Sequence, residues 1–216
     1  MFFDVSRIEP QNAYKLMTST VVPRPIAWVS TLSEDGVANA APYSFFNVMG
    51  SDPATVVIGI QKDAKRGFKD SAHNILTTGE FVVNLVNEAV AEKMNISCID
   101  APRDVSEFDI AGLTQRPSQL VKPPQIAESP VSFECVNLTS LVTGPRQTLV
   151  VGRVVGIRIE DEYILDADKA YVDTPALHMI GRTYGSGWYT KTADQFQMGR
   201  PVYDDWIAKN GDPKKG

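Results

Sequence analysis

Ile26-Ala-Trp-Val-Ser-Thr31, Asp35-Gly36 and Val37-Ala-Asn-Ala-Ala-Pro-Tyr-Ser-Phe-Phe-Asn47 read together as a strand, a tight turn, a returning strand (Val37 to Ala41) and an aromatic-rich loop. Asp-Gly between two apolar runs is a strong short-range hairpin signal. Two more runs rich in β-branched residues follow: Thr55 to Gln61, nearly all apolar and expected to be buried on both faces, and Phe81 to Val86. Between them Lys69 to Thr78 reads as a helix, with Asp70 or Ser71 as its N-cap and Gly79 as the glycine that ends it. Glu88 to Asn95, rich in Ala, Glu and Lys, reads as a second short helix.

Further along, residues 101–130 hold five prolines and read as loop, with one helical turn near Phe108. Val131 to Leu141 and Thr148 to Glu160 are long enough for a coiled hairpin that turns at Gly144-Pro145, and Gly152 and Gly156 allow bends in its second strand. Many strands and few helices, without strict β–α alternation, predict an antiparallel barrel or an α+β fold. The character changes after Asp173, where Gly, aromatic and charged residues lose periodicity. Residues 1–173 are therefore expected to form the main domain. Residues 174–216 read as an extension whose Trp188, Tyr189, Phe196 and Trp206 make it too apolar to hang free, and whose last six residues are expected to fray.

Composition narrows the function classes. The 216 residues suit one sizeable core. With 26 acidic against 21 basic residues, the chain lacks the basic excess of a nucleic-acid binder. Cys98 and Cys135 form no CxxC pair and no Cys/His cluster, so neither a disulfide framework nor a metal site is expected. No basic leader followed by an apolar stretch and no membrane-length apolar run is seen, which makes the cytoplasm the expected location. GxGxxG, GxxxxGK[ST] and GxSxG are all missing, and the two histidines, His73 and His178, have no evident catalytic partners. Any chemistry is then expected to be carried by a bound cofactor.

The 39–47 stretch fits that expectation. Small residues (Ala40, Ala41, Ser44) alternate with Tyr43, Phe45 and Phe46, while Asn39, Ser44 and Asn47 add short polar groups. A flat heteroaromatic ring needs close backbone approach at its polar edge and an aromatic over one face. Downstream, Lys65, Arg66 and Lys69 precede Ser71 at the predicted helix start, and cations, a hydroxyl and free helix amides together suit a phosphate, although the charge of Asp70 opposes one. By themselves the aromatics serve an ordinary core equally well, and the basic cluster a solvated loop.

In order, Arg24-Pro-Ile-Ala-Trp-Val-Ser-Thr31, Asp35-Gly36, Asn39-x-Ala-Pro-Tyr-Ser-Phe-Phe46, Ser51-Asp-Pro53, Lys69-Asp-Ser-x-x-Asn-Ile75, Gly79-Glu-Phe-Val-Val-Asn84, Glu107-Phe108, Ala111-Gly-Leu113, Pro123-Pro124 and Glu128-Ser-Pro130 resemble the flavin reductase-like, FMN-binding split-barrel family, the flavoredoxin type included. The resemblance runs roughly from Val22 to Glu160. It implies a mainly β split barrel of antiparallel Greek-key type with short helices, working as a homodimer with non-covalent FMN near the subunit interface.

It also implies that Asn39 and the segment Ala41, Pro42, Tyr43, Ser44, Phe45, Phe46 and Asn47 contact the flavin. Phe45 is expected to stack on the ring and the Ser71 hydroxyl, where the family more often has threonine, to lie by the phosphate, with Lys69, Arg24 and Thr31 nearby. The activity implied is hydride transfer from NAD(P)H to flavin, with electrons passed to a small-molecule acceptor or an oxygenase partner. Leu177-His-Met-Ile-Gly-Arg182 and Tyr184 resemble a terminal strand where a histidine meets flavin or pyridine nucleotide. His178 is thus a candidate, with a half-buried structural histidine as the equal alternative. Two other readings stay open: a non-catalytic flavin-binding or electron-carrier protein, and a split barrel that has exchanged FMN for haem or a deazaflavin.

Overall fold

A computed structural model describes residues 1–63 and 67–210. Helix α1 (Pro10–Thr20) precedes strands β1 (Ala27–Leu32), β2 (Ala38–Tyr43), β3 (Phe46–Ser51) and β4 (Ala54–Gln61). Helix α2 (Asp70–Thr78) leads into β5 (Glu80–Leu85). Helices α3 (Ala91–Ile96) and α4 (Glu107–Ala111) come next, then the short pair β6 (Gln115–Arg116) and β7 (Gln125–Ile126). The long hairpin is β8 (Val131–Gly144) with β9 (Gln147–Ile159). After it come β10 (Ile164–Asp166) with β11 (Tyr171–Val172), β12 (Ile180–Arg182) with β13 (Tyr189–Lys191), and α5 (Tyr203–Asn210). Among the described residues no helix is long and apolar enough to cross a membrane.

Seven strands form one antiparallel sheet in the order β2-β1-β5-β8-β9-β4-β3. The two outer strands, β2 and β3, are separated in the chain only by Ser44 and Phe45. The edges of the sheet therefore meet at a two-residue corner, where Gly59 N donates to Phe45 O at 2.7 Å. The chain thus closes the sheet order into a split barrel at this corner, with β2 and β3 joined through the backbone rather than by a ladder. The 39–47 stretch, expected to be strand then loop, is instead strand, corner and strand. Pro42 is tolerated because β2 lies at the edge of the sheet order.

Alternation sorts the side chains into two cores. Ala27 and Val29 of β1 face the barrel interior with Phe46, Val56, Ile58, Ile60, Phe81, Val83 and Val150, and Ala72 and Ile75 of α2 plug it. Trp28, Ala38 and Ala40 face outward beneath Met94 of α3, Phe108 of α4, Ile126 and Ile180. The buried Trp28 indole donates to Ser97 Oγ at 2.9 Å, which meets its one polar requirement. Gly152 is required on packing grounds, because a Cβ there would run into the Phe81 ring. Gly152 and Gly156 stand opposite two of the three register shifts that bend the β8–β9 hairpin.

Several elements differ from expectation. β4 is not buried on both faces: Val56, Ile58 and Ile60 are buried, while Thr55 and Val57 remain partly exposed. The helix expected over Glu88 to Asn95 is a 3-10 turn (Glu88–Val90), capped by Asn87 Oδ1 accepting from Val90 N, followed by the one-and-a-half turns of α3. The N-cap of α2 is Lys69, without a side-chain cap, rather than Asp70 or Ser71. Its end is as expected: Gly79 adopts φ 77° and its N–H returns to Ile75 O. Helix α1 carried no strong pattern, since its composition is polar and only Ala13 and Thr18 are buried. The last six residues lie outside the described residues.

Candidate functional site

The corner between β2 and β3 makes Pro42, Tyr43 and Ser44 a ridge with a cleft on each of three sides. The first cleft lies toward α2 and is lined by Asn39, Ala41, Lys69 and Ser71. The second lies over Phe45, Tyr14, Gly59 and Gln61 and shares Lys69 with the first. The third faces the β12–β13 hairpin.

Behind the first cleft runs a buried chain of hydrogen bonds. Asn39 Nδ2 donates to Glu107 Oε2 at 2.7 Å, and Ala40 N donates to the same oxygen at 3.2 Å. Asn39 Oδ1 accepts from Ser71 Oγ at 2.8 Å and from Thr31 Oγ1 at 3.4 Å. Asn74 Nδ2 in turn donates to Thr31 Oγ1 at 3.0 Å. The carboxylate can only accept, so it sets which way the Asn39 amide faces. Burial pushes the Glu107 carboxyl above its ordinary range, against the pull of its hydrogen bonds. Tyr43 is raised too, chiefly by burial. Its hydroxyl is sealed from solvent and makes no hydrogen bond of good geometry among the described residues; the nearby Ser71 Oγ, which gives its own proton to Asn39 and keeps lone pairs that can accept, offsets part of the rise.

Local structure explains these placements. Asn39 and Thr31 are cross-strand partners in β1–β2, which puts their side chains together. Ser71 and Asn74 sit one turn apart on the buried face of α2. The first-turn amides of α2 have no intrahelical acceptors and its N-cap supplies none, so they are available to an anion. Asp70 does not face that anion unpaired: Arg103 Nε holds it at 3.0 Å, and Arg103 Nη2 also donates to Phe68 O. Lys69 Nζ meets Asp100 at 3.4 Å. Lys65 and Arg66, the other expected cations, lie outside the described residues.

The sequence-derived candidates divide. Asn39, Ala41, Pro42, Tyr43, Ser44, Phe45, Lys69 and Ser71 line the first two clefts. Thr31 supports Asn39 from behind. Phe46 points into the barrel core and Asn47 is exposed on β3, where its Oδ1 accepts from Val48 N. Arg24 is buried, with Nη1 donating to Thr18 O at 2.6 Å and Val21 O at 2.8 Å and Nε to Ser44 Oγ at 3.4 Å. It thus ties the end of α1 to the ridge. His178 is exposed on a left-handed turn at φ 47° and lines none of the three clefts. Sequence reasoning missed Glu107, Arg103 and Tyr14. Glu107 follows the N-cap Ser106 and reads as an ordinary first-turn acid, since nothing local announces its Asn39 partner.

A flat ring with an anionic tail fits this surface. The second cleft offers the half-exposed Phe45 ring, 5.9 Å from that of Tyr14. The first offers helix amides and Lys69.

A protein of Deinococcus radiodurans is 41% identical over 208 residues, covering 94% of this chain and 91% of its own. The crystal structure of nitrilotriacetate monooxygenase component B from Bacillus cereus superposes with a TM-score of 0.86 at 29% identity, covering 92% of this chain and 98% of that one. The 2-nitrobenzoate 2-nitroreductase NbaA of Pseudomonas fluorescens gives 0.85 at 32% identity, covering 94% and 98%. The flavin reductase like domain matches residues 17–181, most of the chain. The fold is accordingly the flavin reductase-like split barrel, and the protein is a flavin-related oxidoreductase by family. On sequence and fold together, the chain belongs to the flavin reductase-like domain family.

Proposed function

We propose that this protein is an FMN-dependent oxidoreductase that takes hydride from NAD(P)H and passes electrons to a small-molecule acceptor or an oxygenase partner. The observation that carries the reading is the pair of clefts joined across Pro42, Tyr43 and Lys69, one suited to an anion and the other to a flat ring. The α2 amides and Lys69 would hold the phosphate, with Ser71 latching that helix to β2 through Asn39. Phe45 would cover one face of the ring. When bound, FMN supplies the hydride and electron chemistry, so the chain needs no acid or base of its own. Its residues bind and orient, and the backbone around the ridge keeps water from one side of the ring.

We also infer a cytoplasmic homodimer. Phe196, Met198 and Trp206 in the extension after residue 173 are exposed, α5 buries no residue, and Val48 and Met49 of β3 are exposed as well. Apolar surface on this scale is ordinarily covered by a partner.

Purified protein should show flavin bands near about 375 and 450 nm, and NAD(P)H should bleach them. Phe45→Ala should weaken FMN binding about tenfold, the worth of one aromatic stack. A colourless protein that takes up no added FMN would end this reading. Tight FMN without NAD(P)H turnover would turn it to a flavin carrier.

A further inference from the structure

Arg24 and Arg182 are directly opposed in an antiparallel bridge, each backbone N–H donating to the other's carbonyl at 2.8 Å. Like charges in opposed positions repel. A fold ordinarily relieves such a pair with carboxylates, but among the described residues neither guanidinium makes an ion pair. Both are held by neutral oxygens instead. Arg24 bonds Thr18 O, Val21 O and Ser44 Oγ, and Arg182 bonds Trp188 O at 3.0 Å and Gly185 O at 2.9 Å. Each charge is therefore fixed in place and uncompensated.

The third cleft opens beside them, between the ridge and the β12–β13 hairpin. Ile26, Met94 and the Tyr189 ring give it an apolar wall, and the Arg182 guanidinium sits 4.8 Å over that ring. Ser44 lines it too, bringing the field of Arg24 to its edge. No carboxylate lines this cleft among the described residues, whereas Asp63, Asp70, Asp100 and Glu107 all line the neighbouring one. A guanidinium has five N–H groups, and Arg182 shows two of them bonded, so donors remain for a ligand.

We propose that this cleft binds a small organic acid, its apolar or aromatic body against Ile26, Met94 and Tyr189 and its carboxylate on Arg182. As the seat of a second substrate facing the flavin across the ridge, the cleft rests on the flavin reading. Its preference for an anion does not.

The test is calorimetric titration of the full-length protein with benzoate and with its neutral isostere benzamide, after the flavin content has been recorded at about 450 nm. Benzoate should bind at least tenfold more tightly, the preference should shrink as salt is raised, and Arg182→Gln should abolish it. Equal affinity for the two probes, or no binding of either to the wild-type protein, overturns the proposal. The wild-type comparison stands even if Arg182→Gln loosens the hairpin that Arg182 clamps. Yellow protein indifferent to charge overturns the cleft alone. Colourless protein that takes up no added FMN yet still selects benzoate supports the cleft and overturns the flavin reading.

Discussion

Two asparagines on opposite faces of the sheet sit in buried polar networks of opposite character. Asn84 on β5 is fully buried, and all its hydrogen-bonding capacity is used. Its Nδ2 donates to Trp28 O and Ser30 Oγ, both at 3.0 Å, and its Oδ1 accepts from Ile126 N at 3.0 Å and Ser132 Oγ at 2.8 Å. Asn39 on β2 is 8% exposed, and its network runs out through Ser71 to a cleft. The first network is closed and joins β1, β5, β7 and β8. The second has loose ends beside a helix N-terminus. A buried polar residue is therefore a poor marker of function by itself; what marks a site is a network left incomplete where a ligand can reach it.

That contrast can be broken by substitution. Asn84→Ala should be the most damaging change, lowering unfolding free energy by about 3 kcal/mol, because it strands several buried groups at once. Urea titration measures this, and the fraction that remains folded should keep its flavin affinity. If Asn84→Ala instead released flavin from a stable fold, the two networks would not differ as described.

Tyr43→Phe should move stability the other way. Removing a sealed hydroxyl that makes no hydrogen bond of good geometry should leave the flavin-free protein unchanged or about 1 kcal/mol more stable, with flavin affinity unchanged because the hydroxyl does not reach the cleft. Loss of stability in the flavin-free protein would mean that the hydroxyl has a structural partner.

The smallest effect is that of Glu107 on pH dependence. Burial raises its folded-state pKa, so in the window from the ordinary glutamate range upward the native state binds more protons than the unfolded chain. Its contribution is fully present below that window and is lost as pH rises through the raised pKa. Glu107→Gln should flatten this fall in stability, measured by denaturant unfolding from about pH 4 upward. A wild-type profile already flat there would refute the assignment.

How much could be read beforehand follows the range of the forces involved. The β1 strand, the Asp35-Gly36 turn and the left-handed Gly79 are settled by neighbours in the chain, and the structure agrees with each to within a residue or two. The small-and-aromatic stretch was legible as a candidate ligand seat. That it is a corner joining the two outer strands was not, because only the completed sheet order puts β2 and β3 at its edges. Asn39 was visible, whereas its partner Glu107 stands 68 residues away on a five-residue helix. Phe46 and Phe45 look alike in sequence, yet the corner sends one into the core and leaves the other half-exposed.

By itself, then, the sequence determined most of the long strands, the Asp35-Gly36 turn and the family, since these rest on local backbone preference and on ordered motifs. Only the tertiary structure decided which side chains share a cleft, that Arg24 and Arg182 confront each other without an ion pair among the described residues, and that Ser71 spends its proton on Asn39. Those outcomes depend on through-space pairing between segments far apart in the chain, which no local pattern encodes.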